Sequence, residues 1–241
     1  MSSPIPIAAQ EGFYNQRWRQ FGFANRRKLR RAAAILEALH ETEVTEPRIL
    51  DFGCGAGWMA NLLGVFGPTT GVELSSAAIA EASGRYPHVQ FFQGNVFEWK
   101  HTGPPFHVVV SQEVLEHVED QAGYLRLAAG FLVNGGYLIL TTPNARAIAA
   151  TFDVIQESMR DQPLENWLTV AQLKSLLKAH FTIERITTII PAPGNYGIQK
   201  LLGALPVKKF CKRLGAARLL LRTQSFFECG LHTLVIARKR G

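Results

Sequence analysis

Short apolar runs recur along the chain, and they are separated by segments in which apolar residues return at helical spacing. The first pattern is typical of buried strands, and the second is typical of helices that bury one face. The predicted strands cover residues 48–53, 69–74, 89–93, 106–111, 136–142, 181–190 and 230–238, with helices between most of them. Strands that alternate with helices favour a mostly parallel sheet with helices on both faces, so the pattern predicts an α/β fold.

The first predicted strand leads directly into three glycines at alternate positions, Gly53, Gly55 and Gly57, and then into a predicted helix over residues 58–66. Glycine lets a ligand approach the backbone closely and permits a positive φ. A sharp turn from strand to helix also leaves the first N–H groups of the helix without intrahelical partners. The loop is therefore predicted to hold a nucleotide-like ligand at the edge of the sheet.

Glu73 ends the next predicted strand, about 20 residues further on, where a carboxylate that binds ribose hydroxyls is expected. The glycine spacing differs from the Gly-x-Gly-x-x-Gly fingerprint of dinucleotide-binding proteins. The glycine loop, the strand that ends in Glu73 and three later sequence blocks together resemble the class I S-adenosylmethionine-dependent methyltransferases instead. The blocks that carry this resemblance are Asp51-Phe-Gly-Cys-Gly-Ala-Gly57, Gly71-Val-Glu-Leu74, Gly94-Asn95-Val96, Val110-Ser-Gln-Glu-Val-Leu-Glu-His-Val118 and Gly135-Gly-Tyr-Leu-Ile-Leu-Thr-Thr-Pro-Asn144.

The resemblance covers residues 48–144 and implies a Rossmann-like sheet of seven strands, mostly parallel, with an antiparallel last strand. It also implies S-adenosyl-L-methionine as the cofactor. The glycine loop and the acid before it would hold the methionine portion of the cofactor. The acid of the second strand would hold the ribose, and an Asn after the third strand would bind the adenine amino group. The residues at these positions, with those expected near the sulfonium, are Asp51, Gly53, Cys54, Gly55, Gly57, Glu73, Leu74, Asn95, Val96, Ser111 and Gln112.

Glu113, Glu116 and His117 follow the fourth predicted strand at positions i, i+3 and i+4. On a helix this spacing places all three side chains on one face. Two carboxylates and an imidazole can bind a divalent cation such as Mg²⁺, and two metal-using subgroups of the resembled family carry this pattern: ubiquinone-pathway O-methyltransferases and RNA 3′-end 2′-O-methyltransferases. The alternative, found in metal-free relatives, leaves His117 alone to face the acceptor, as a general base or as a group that orients it.

The acceptor is expected to contact the ends of several elements. Loops at the carboxyl ends of parallel strands line such sites, which makes Asn144 and Arg146 candidate contacts. Tyr14 and Trp18 belong to an aromatic, basic segment ahead of the first core strand, and they could either stack on an acceptor or pack on the sheet. By the same resemblance, residues 25–28 are candidates to contact the methionine carboxylate.

The 241 residues suit a single domain, with an N-terminal helical cap over residues 1–45 and a core formed by residues 46–190 and 227–241. Residues 191–226 form an unusually long connection between the last two predicted strands. Its apolar residues fall at helical spacing, and lysines and arginines fill the other side. We expect a basic helical hairpin that packs its apolar face on the body as an acceptor cap. The alternative is that it lies on anionic lipid. Residues 1–10 are expected to be frayed.

The formal net charge of +7 is concentrated in two places. Residues 12–36 and 186–227 each carry seven lysines and arginines and no acid. Such patches favour an anionic partner: an acidic small-molecule acceptor, nucleic acid or an anionic membrane surface. Three cysteines without metal-ligand spacing, and a start that lacks the order of a signal peptide, favour a cytoplasmic protein, with peripheral membrane contact as an option. Either a monomer or a homodimer is compatible with the sequence.

The sequence therefore predicts a methyltransferase that transfers a methyl group from S-adenosylmethionine to a small molecule. The expected reaction is O-methylation of a hydroxyl on a phenolic, quinone-like or natural-product scaffold, with His117 as the general base. The alternative is a nucleic-acid enzyme such as an RNA 2′-O-methyltransferase, which the two basic patches and the Glu-x-x-Glu-His pattern would also suit.

Overall fold

A computed structural model describes residues 5–20, 25–155, 162–192 and 197–241. The strands are β1 (Ile49–Phe52), β2 (Thr69–Glu73), β3 (Gln90–Gln93), β4 (Phe106–Gln112), β5 (Leu132–Pro143), β6 (Phe181–Pro191) and β7 (Gly230–Lys239). The helices are α1 (Ile7–Gln20), α2 (Arg26–Glu41), α3 (Trp58–Leu63), α4 (Ser76–Arg85), α5 (Gln121–Phe131), α6 (Ala145–Ile155), α7 (Val170–Leu177), α8 (Gly197–Leu202), α9 (Leu205–Arg213) and α10 (Ala217–Phe226), with one 3₁₀ turn at Leu115–His117.

The strands form one seven-stranded sheet in the order β3-β2-β1-β4-β5-β7-β6. The pairs β1–β2, β1–β4, β2–β3 and β4–β5 are parallel, whereas β7 runs antiparallel to both β5 and β6. The predicted seven-stranded, mostly parallel sheet with an antiparallel last strand is confirmed. β5 begins at Leu132, earlier than the predicted start near residue 136, because Leu132 pairs with Phe106 across an irregularity in the ladder.

The strand order reverses between β1 and β4, which are neighbours in the sheet although two strands separate them in the chain. In open α/β sheets, ligands bind beyond the carboxyl ends of the strands at such a switch point. Because β7 is antiparallel, its first residues lie at this same edge, beside the carboxyl end of β5. The topology thus brings the carboxyl ends of six strands, β1 to β6, and the loops that follow them to one edge of the sheet.

The buried core lies on both faces of the sheet, because side chains of a strand alternate between faces. Leu50 and Phe52 of β1 belong to a cluster that includes residues of α5 and α7, whereas Ile49 belongs to a cluster with residues of α2 and α3. On the first face Tyr124 of α5 stacks on Phe52, with ring centroids 4.8 Å apart. Buried side chains on both faces hold the carboxyl ends of β1 and β4 in fixed positions.

Residues 197–226 form three short helices, α8 to α10, rather than the predicted hairpin. α10 packs on β6, and Ser225 of α10 hydrogen-bonds Thr187 and Thr188 of that strand. α9 buries no side chain. The expectation that the apolar face of this segment packs on the body is wrong for most of its large apolar side chains, because only α10 lies against the sheet along its length.

None of the helices in the described part of the chain is both long enough and apolar enough to span a membrane.

Tyr124→Phe should lower the free energy of unfolding by about 1–3 kcal/mol, the cost of leaving a buried polar group without its partner. The Tyr124 hydroxyl donates to the Phe52 carbonyl at 3.0 Å and lies 2.8 Å from Ser111 Oγ, and both partners are fully buried. Urea unfolding of both proteins measures the difference. Tyr137→Phe, on a half-buried tyrosine in the middle of β5, is the matched control. An equal, small loss in the two variants would contradict a role for the Tyr124 hydroxyl.

Candidate functional site

A cavity of about 880 Å³ lies at the carboxyl edge of the sheet. Its floor comes from the loop after β1, the end of β2, the turn after β3 and the segment after β4. Its walls come from α1, the start of α2 and residues 162–167, and its far end from the start of β7. The cavity lies within the usual volume range of ligand sites, about 300–1,000 Å³.

The glycine loop forms the floor in a backbone conformation that other residues rarely adopt. Gly53, Gly55 and Gly57 have φ angles of 96°, 52° and 75°. A Cβ at Gly53 would clash with Val114, and a Cβ at Gly55 would clash with the ring of Trp18. Strain and crowding together therefore explain why glycine occupies these positions.

Glu73 is buried beside the loop and ties it to β2. Its Oε2 accepts from the Gly55 N–H at 3.1 Å, and its Oε1 accepts from the Ser75 N–H at 3.0 Å. Burial raises the pKa of Glu73, while these backbone donors oppose the rise. Each carboxylate oxygen has a second lone pair, so the group can also accept from ligand hydroxyls in the cavity.

Asp51, at the end of β1, is almost fully buried but lines the cavity. Burial, with a smaller contribution from the charge of Glu73, raises the pKa of Asp51 to about 7. Its Oδ2 atom has no hydrogen-bond partner among the described residues. A buried carboxylate oxygen of this kind favours a positively charged or N–H donor from a ligand.

Asn95 and Val96 line the cavity beyond β3, with Leu74 and Phe97 beside them. The Asn95 Oδ1 atom accepts from the Phe97 N–H at 3.0 Å, which fixes the amide near the cavity. Gln112 lines the cavity at the end of β4, and Cys54 does so within the glycine loop. Burial raises the pKa of the Cys54 thiol well above its ordinary value. This disfavours the thiolate form that a nucleophile would require.

Ser111, predicted to lie near the sulfonium, does not line the cavity. It is fully buried, and its Oγ lies 2.8 Å from the Tyr124 hydroxyl. Its side chain points into the core because neighbouring strand residues alternate between faces. The Ser111 side chain therefore has no access to the cavity, and the predicted place of this residue near the sulfonium stays a prediction.

The two predicted acceptor contacts after β5 are wrong. Asn144 is fully buried, and its amide donates to the carbonyls of Glu228 and Gly230 while its Oδ1 accepts from the Arg146 N–H. Asn144 thus joins the end of β5 to the start of β7. Arg146 is exposed at the start of α6 and does not line the cavity.

Residues 113–117 do not form the predicted helical face. Glu113 has a φ of 56°, and only Leu115–His117 form a single 3₁₀ turn. The chain must leave β4 and turn at once beneath the cavity, so a regular helix cannot begin here. Within the described parts of the chain, no group of three or more His, Cys, Asp and Glu side chains is arranged to hold a metal ion.

Glu113 instead belongs to a buried charge cluster. Its Oε2 lies 2.7 Å from His232 Nδ1 and 3.6 Å from an Arg31 nitrogen. Burial alone would raise the pKa of Glu113, but His232 and Arg31 outweigh it and hold the pKa below its ordinary value. The cluster joins the end of β4 to α2 and to the start of β7.

Glu116 has a pKa that is shifted in the opposite direction to that of Glu113. It accepts from the Thr142 hydroxyl at 3.0 Å in a buried position. Burial, and then the negative charge of Glu113, raise the pKa of Glu116 well above its ordinary value. The pKa values of these two neighbouring acids are therefore shifted in opposite directions.

His117 faces the cavity with a defined tautomer. Its Nδ1 lies 2.9 Å from the Leu164 carbonyl, which can only accept, so Nδ1 carries the proton. Burial is the largest effect on this imidazole, and it lowers the pKa below the ordinary value of 6.5. At neutral pH Nε2 is therefore the unprotonated ring nitrogen and can accept a proton, and it lies 3.7 Å from Glu116 Oε1.

α1 forms the wall above the glycine loop, and it begins at Ile7, so the expectation of a frayed segment is wrong for residues 7–10. Asn15 Oδ1 accepts from the Ser75 hydroxyl at 2.7 Å and from the Ala77 N–H at 3.1 Å, which docks α1 on the start of α4. Tyr14 and Trp18 both line the cavity, and the ring centroids of Tyr14 and His117 are 6.3 Å apart. Burial, and then the charge of Glu73, raise the pKa of Tyr14, so it remains a neutral phenol.

His232 and Leu231 line the cavity, and no local sequence pattern predicts them there. They lie at the start of β7, and only the antiparallel direction of that strand brings its first residues to the cavity edge. Arg31 of α2 lies beside His232, with 3.4 Å between an Arg31 nitrogen and His232 Nε2, and Arg31 and Lys28 add positive charge to the cavity lining. A search for polar residues at the start of an antiparallel last strand would have identified His232.

Comparison with known proteins agrees with this geometry. The family model of a methyltransferase domain matches residues 16–186, which is more than half of the chain. The protein therefore belongs to the methyltransferase-domain family, as the sequence blocks predicted.

Relatives of this chain include a probable S-adenosylmethionine-dependent methyltransferase of Mycobacterium tuberculosis, 36% identical over 97 residues, which are 40% of this chain and 35% of that protein. A ubiquinone biosynthesis O-methyltransferase of Albidiferax ferrireducens is 32% identical over 112 residues, 44% of each chain. The chain thus spans about a third to a half of the length of these curated relatives.

Among solved structures, the N-methyltransferase NodS from Bradyrhizobium japonicum, in complex with S-adenosyl-L-homocysteine, is similar to this chain. The TM-score is 0.64, the identity is 13%, and the match covers 96% of this chain and 98% of NodS. At this identity the likeness establishes the fold alone.

Glu113→Gln should lower the free energy of unfolding at pH 7 by about 3 kcal/mol, because it leaves the largely buried Arg31 guanidinium without its counter-charge. The lowered pKa means that this contribution is complete above the unfolded-state pKa near 4.5 and is lost as pH falls through the folded-state pKa. Urea unfolding over a pH series should therefore show a wild-type advantage that shrinks in acid. The control is Glu184→Gln on the exposed face of β6. A pH-independent difference would contradict the charge cluster.

Proposed function

We propose that this protein transfers a methyl group from S-adenosylmethionine to a hydroxyl of a small-molecule acceptor. The observation that carries the proposal is the strained glycine loop held between two buried acids, Asp51 and Glu73, at the switch point of the sheet. Membership of the methyltransferase-domain family supports it. The names of the relatives, which include ubiquinone O-methyltransferases, support a hydroxyl as the acceptor group.

The residues at the cavity fit the chemistry of this cofactor. The Oδ2 of Asp51 would accept from the methionine ammonium, and Lys28, at the opposite rim, would attract the carboxylate. Glu73 would accept from the ribose hydroxyls through the lone pairs that Gly55 and Ser75 leave free. Asn95 would accept from the adenine amino group. When bound, S-adenosylmethionine would supply an electrophilic methyl group, whose bond to sulfur breaks as the acceptor oxygen bonds to the methyl carbon, with S-adenosylhomocysteine as the leaving group.

The remaining chemical task is to remove the proton of the acceptor hydroxyl. His117 is suited to it, because it lines the cavity and the Leu164 carbonyl fixes its proton on Nδ1, which leaves Nε2, 3.7 Å from Glu116 Oε1, as the nitrogen that can accept a proton. The lowered pKa keeps this imidazole neutral at physiological pH. The other main contribution is alignment of donor and acceptor, which enclosure by α1 and residues 162–167 would provide.

A small molecule is the preferred acceptor because the cavity is a walled pocket rather than an open channel. Tyr14 and Trp18 present aromatic faces to it, and Arg31 and Lys28 give it a positive rim. This combination suits an aromatic or otherwise flat scaffold with an acidic group.

S-adenosylhomocysteine should bind the wild-type protein in calorimetric titration, and Glu73→Ala should weaken that binding at least about tenfold. The estimate assumes the loss of one hydrogen bond to a charged group, worth about 1.5–3 kcal/mol. Glu98→Ala, an exposed acid after β3, is the matched control and should bind as the wild type does. Thermal unfolding separates lost binding from lost folding. Absence of binding to the wild type would refute the cofactor assignment.

His117→Gln should lower kcat by roughly 100- to 10,000-fold, the usual range for loss of a general base, with unchanged affinity for S-adenosylhomocysteine. The acceptor would first be found by screening phenols, catechols and hydroxylated scaffolds with the wild type. The kcat/KM of the wild type for this acceptor should rise with pH as His117 loses its proton. It should level off above the lowered pKa of His117, which lies below 6.5. A variant with wild-type kcat would show that His117 is not the base. A wild type that binds the cofactor but methylates only amines would instead show that the acceptor class is wrong.

A further inference from the structure

The segment of residues 197–227, named here the basic helical surface, exposes an unusual number of large apolar side chains. Nine of the fifteen exposed large hydrophobic residues in the described chain belong to it. They are Ile198, Leu201, Leu205, Phe210, Leu214, Leu219, Leu221, Phe226 and Phe227. Exposure reaches 63% for Phe210, 71% for Leu205 and 81% for Phe226. Apolar residues concentrated in this way mark an interaction site.

The same surface is strongly positive. Every lysine and arginine in it is exposed, and residues 186–227 contain no acid. The cations are Lys200, Lys208, Lys209, Lys212, Arg213, Arg218 and Arg222. Positive and apolar side chains are therefore interleaved on exposed short helices, without acids that would neutralise them.

We propose that the basic helical surface docks on an anionic lipid bilayer. Leu205, Phe210 and Phe226 would enter the boundary between headgroups and acyl chains, while the cations would meet lipid phosphates. Apolar insertion and charge attraction together are what reversible binding in the membrane interface requires.

The composition of the surface argues against the two other candidates for its occupant. A second copy of the chain would bring seven cations against seven others, with no acid to compensate. Nucleic acid would satisfy the cations, but exposed leucines gain little from phosphates or base edges. Of these three partners, an anionic bilayer alone offers phosphates to the cations and an apolar interior to the exposed leucines and phenylalanines.

The surface is also attached where a bilayer would lie close to the cavity. It begins after the carboxyl end of β6 and ends before β7, at the edge of the sheet that carries the cavity. Leu231 and His232, which follow it closely, line the cavity itself. Docking does not depend on which acceptor the protein methylates, so it can be tested without enzyme activity.

The test is co-sedimentation of the full chain with vesicles of phosphatidylcholine alone, or of equal parts phosphatidylcholine and phosphatidylglycerol. We expect binding to the anionic vesicles that weakens with added salt, and little binding to the neutral ones. Lys208→Gln with Lys209→Gln should weaken binding more than tenfold, since each cation near such a surface contributes roughly fivefold. Leu205→Ser with Phe210→Ser should weaken it by roughly tenfold or more.

Matched controls remove the same groups elsewhere. Lys174→Gln with Lys178→Gln removes two exposed lysines, one in α7 and one just after it, and Leu29→Ser with Val65→Ser removes two exposed apolar side chains from other surfaces. Both controls should bind as the wild type does. Circular dichroism and thermal unfolding of all four variants verify that the fold is intact, as is expected for exposed positions.

Several outcomes would overturn the proposal. One is equal binding by the variants and their controls, and another is no binding to anionic vesicles. Binding of a mixed-sequence RNA that depends on Lys208 and Lys209 but not on Phe210, without vesicle binding, would assign the surface to nucleic acid. A dimer in sedimentation equilibrium that Leu205→Ser with Phe210→Ser dissociates, again without vesicle binding, would assign it to a second copy of the chain.

Discussion

The site depends on one buried carboxylate. Glu73, at the end of β2, accepts the N–H of Gly55 from the loop after β1 and the N–H of Ser75 from the turn after its own strand. Two loops that leave neighbouring strands are thereby held at a fixed distance. Ser75 then receives α1 through Asn15, so the wall of the cavity is fixed by the same contact that shapes its floor. The strained conformation of the glycine loop is therefore maintained by buried contacts around it.

Electrostatics within the cavity follow from burial acting on a few groups. Asp51, Glu73 and Glu116 have raised pKa values because they lie away from water, whereas Glu113 has a lowered pKa because His232 and Arg31 lie beside it. These two neighbours come from β7 and α2 and contact each other. The pocket therefore combines acids at its floor with positive charge at its rim, which suits a zwitterionic ligand.

Much of the fold could be predicted from the sequence, because strand and helix periodicities are local. The positions of the strands along the chain and the glycine loop between β1 and α3 follow from short patterns. The segment after β4 could not be predicted in this way. Glu113, Glu116 and His117 have helical spacing, but β4 ends so close to the cavity that the chain turns sharply at Glu113.

The burial of Asn144 and the cavity position of His232 were also beyond local patterns. Both depend on β7 running antiparallel beside β5, a relation between residues that are far apart in the chain. The exposure of the segment before β7 could not be predicted from local patterns either. Its apolar spacing predicts helices correctly, but spacing does not reveal whether an apolar face meets the body or the solvent, and α9 turns most of its side chains outward.

The contact between Trp18 and Gly55 has a consequence for how mutations can compensate for one another. Two independent penalties protect Gly55: its left-handed φ of 52° and the indole ring above it. A smaller residue at position 18 would remove the crowding, but the backbone strain of any L-residue at position 55 would remain. Loss of this glycine therefore has no single-site suppressor in α1. By contrast, a change at position 18 leaves the loop conformation unaltered, so during divergence α1 can vary while the glycine stays fixed.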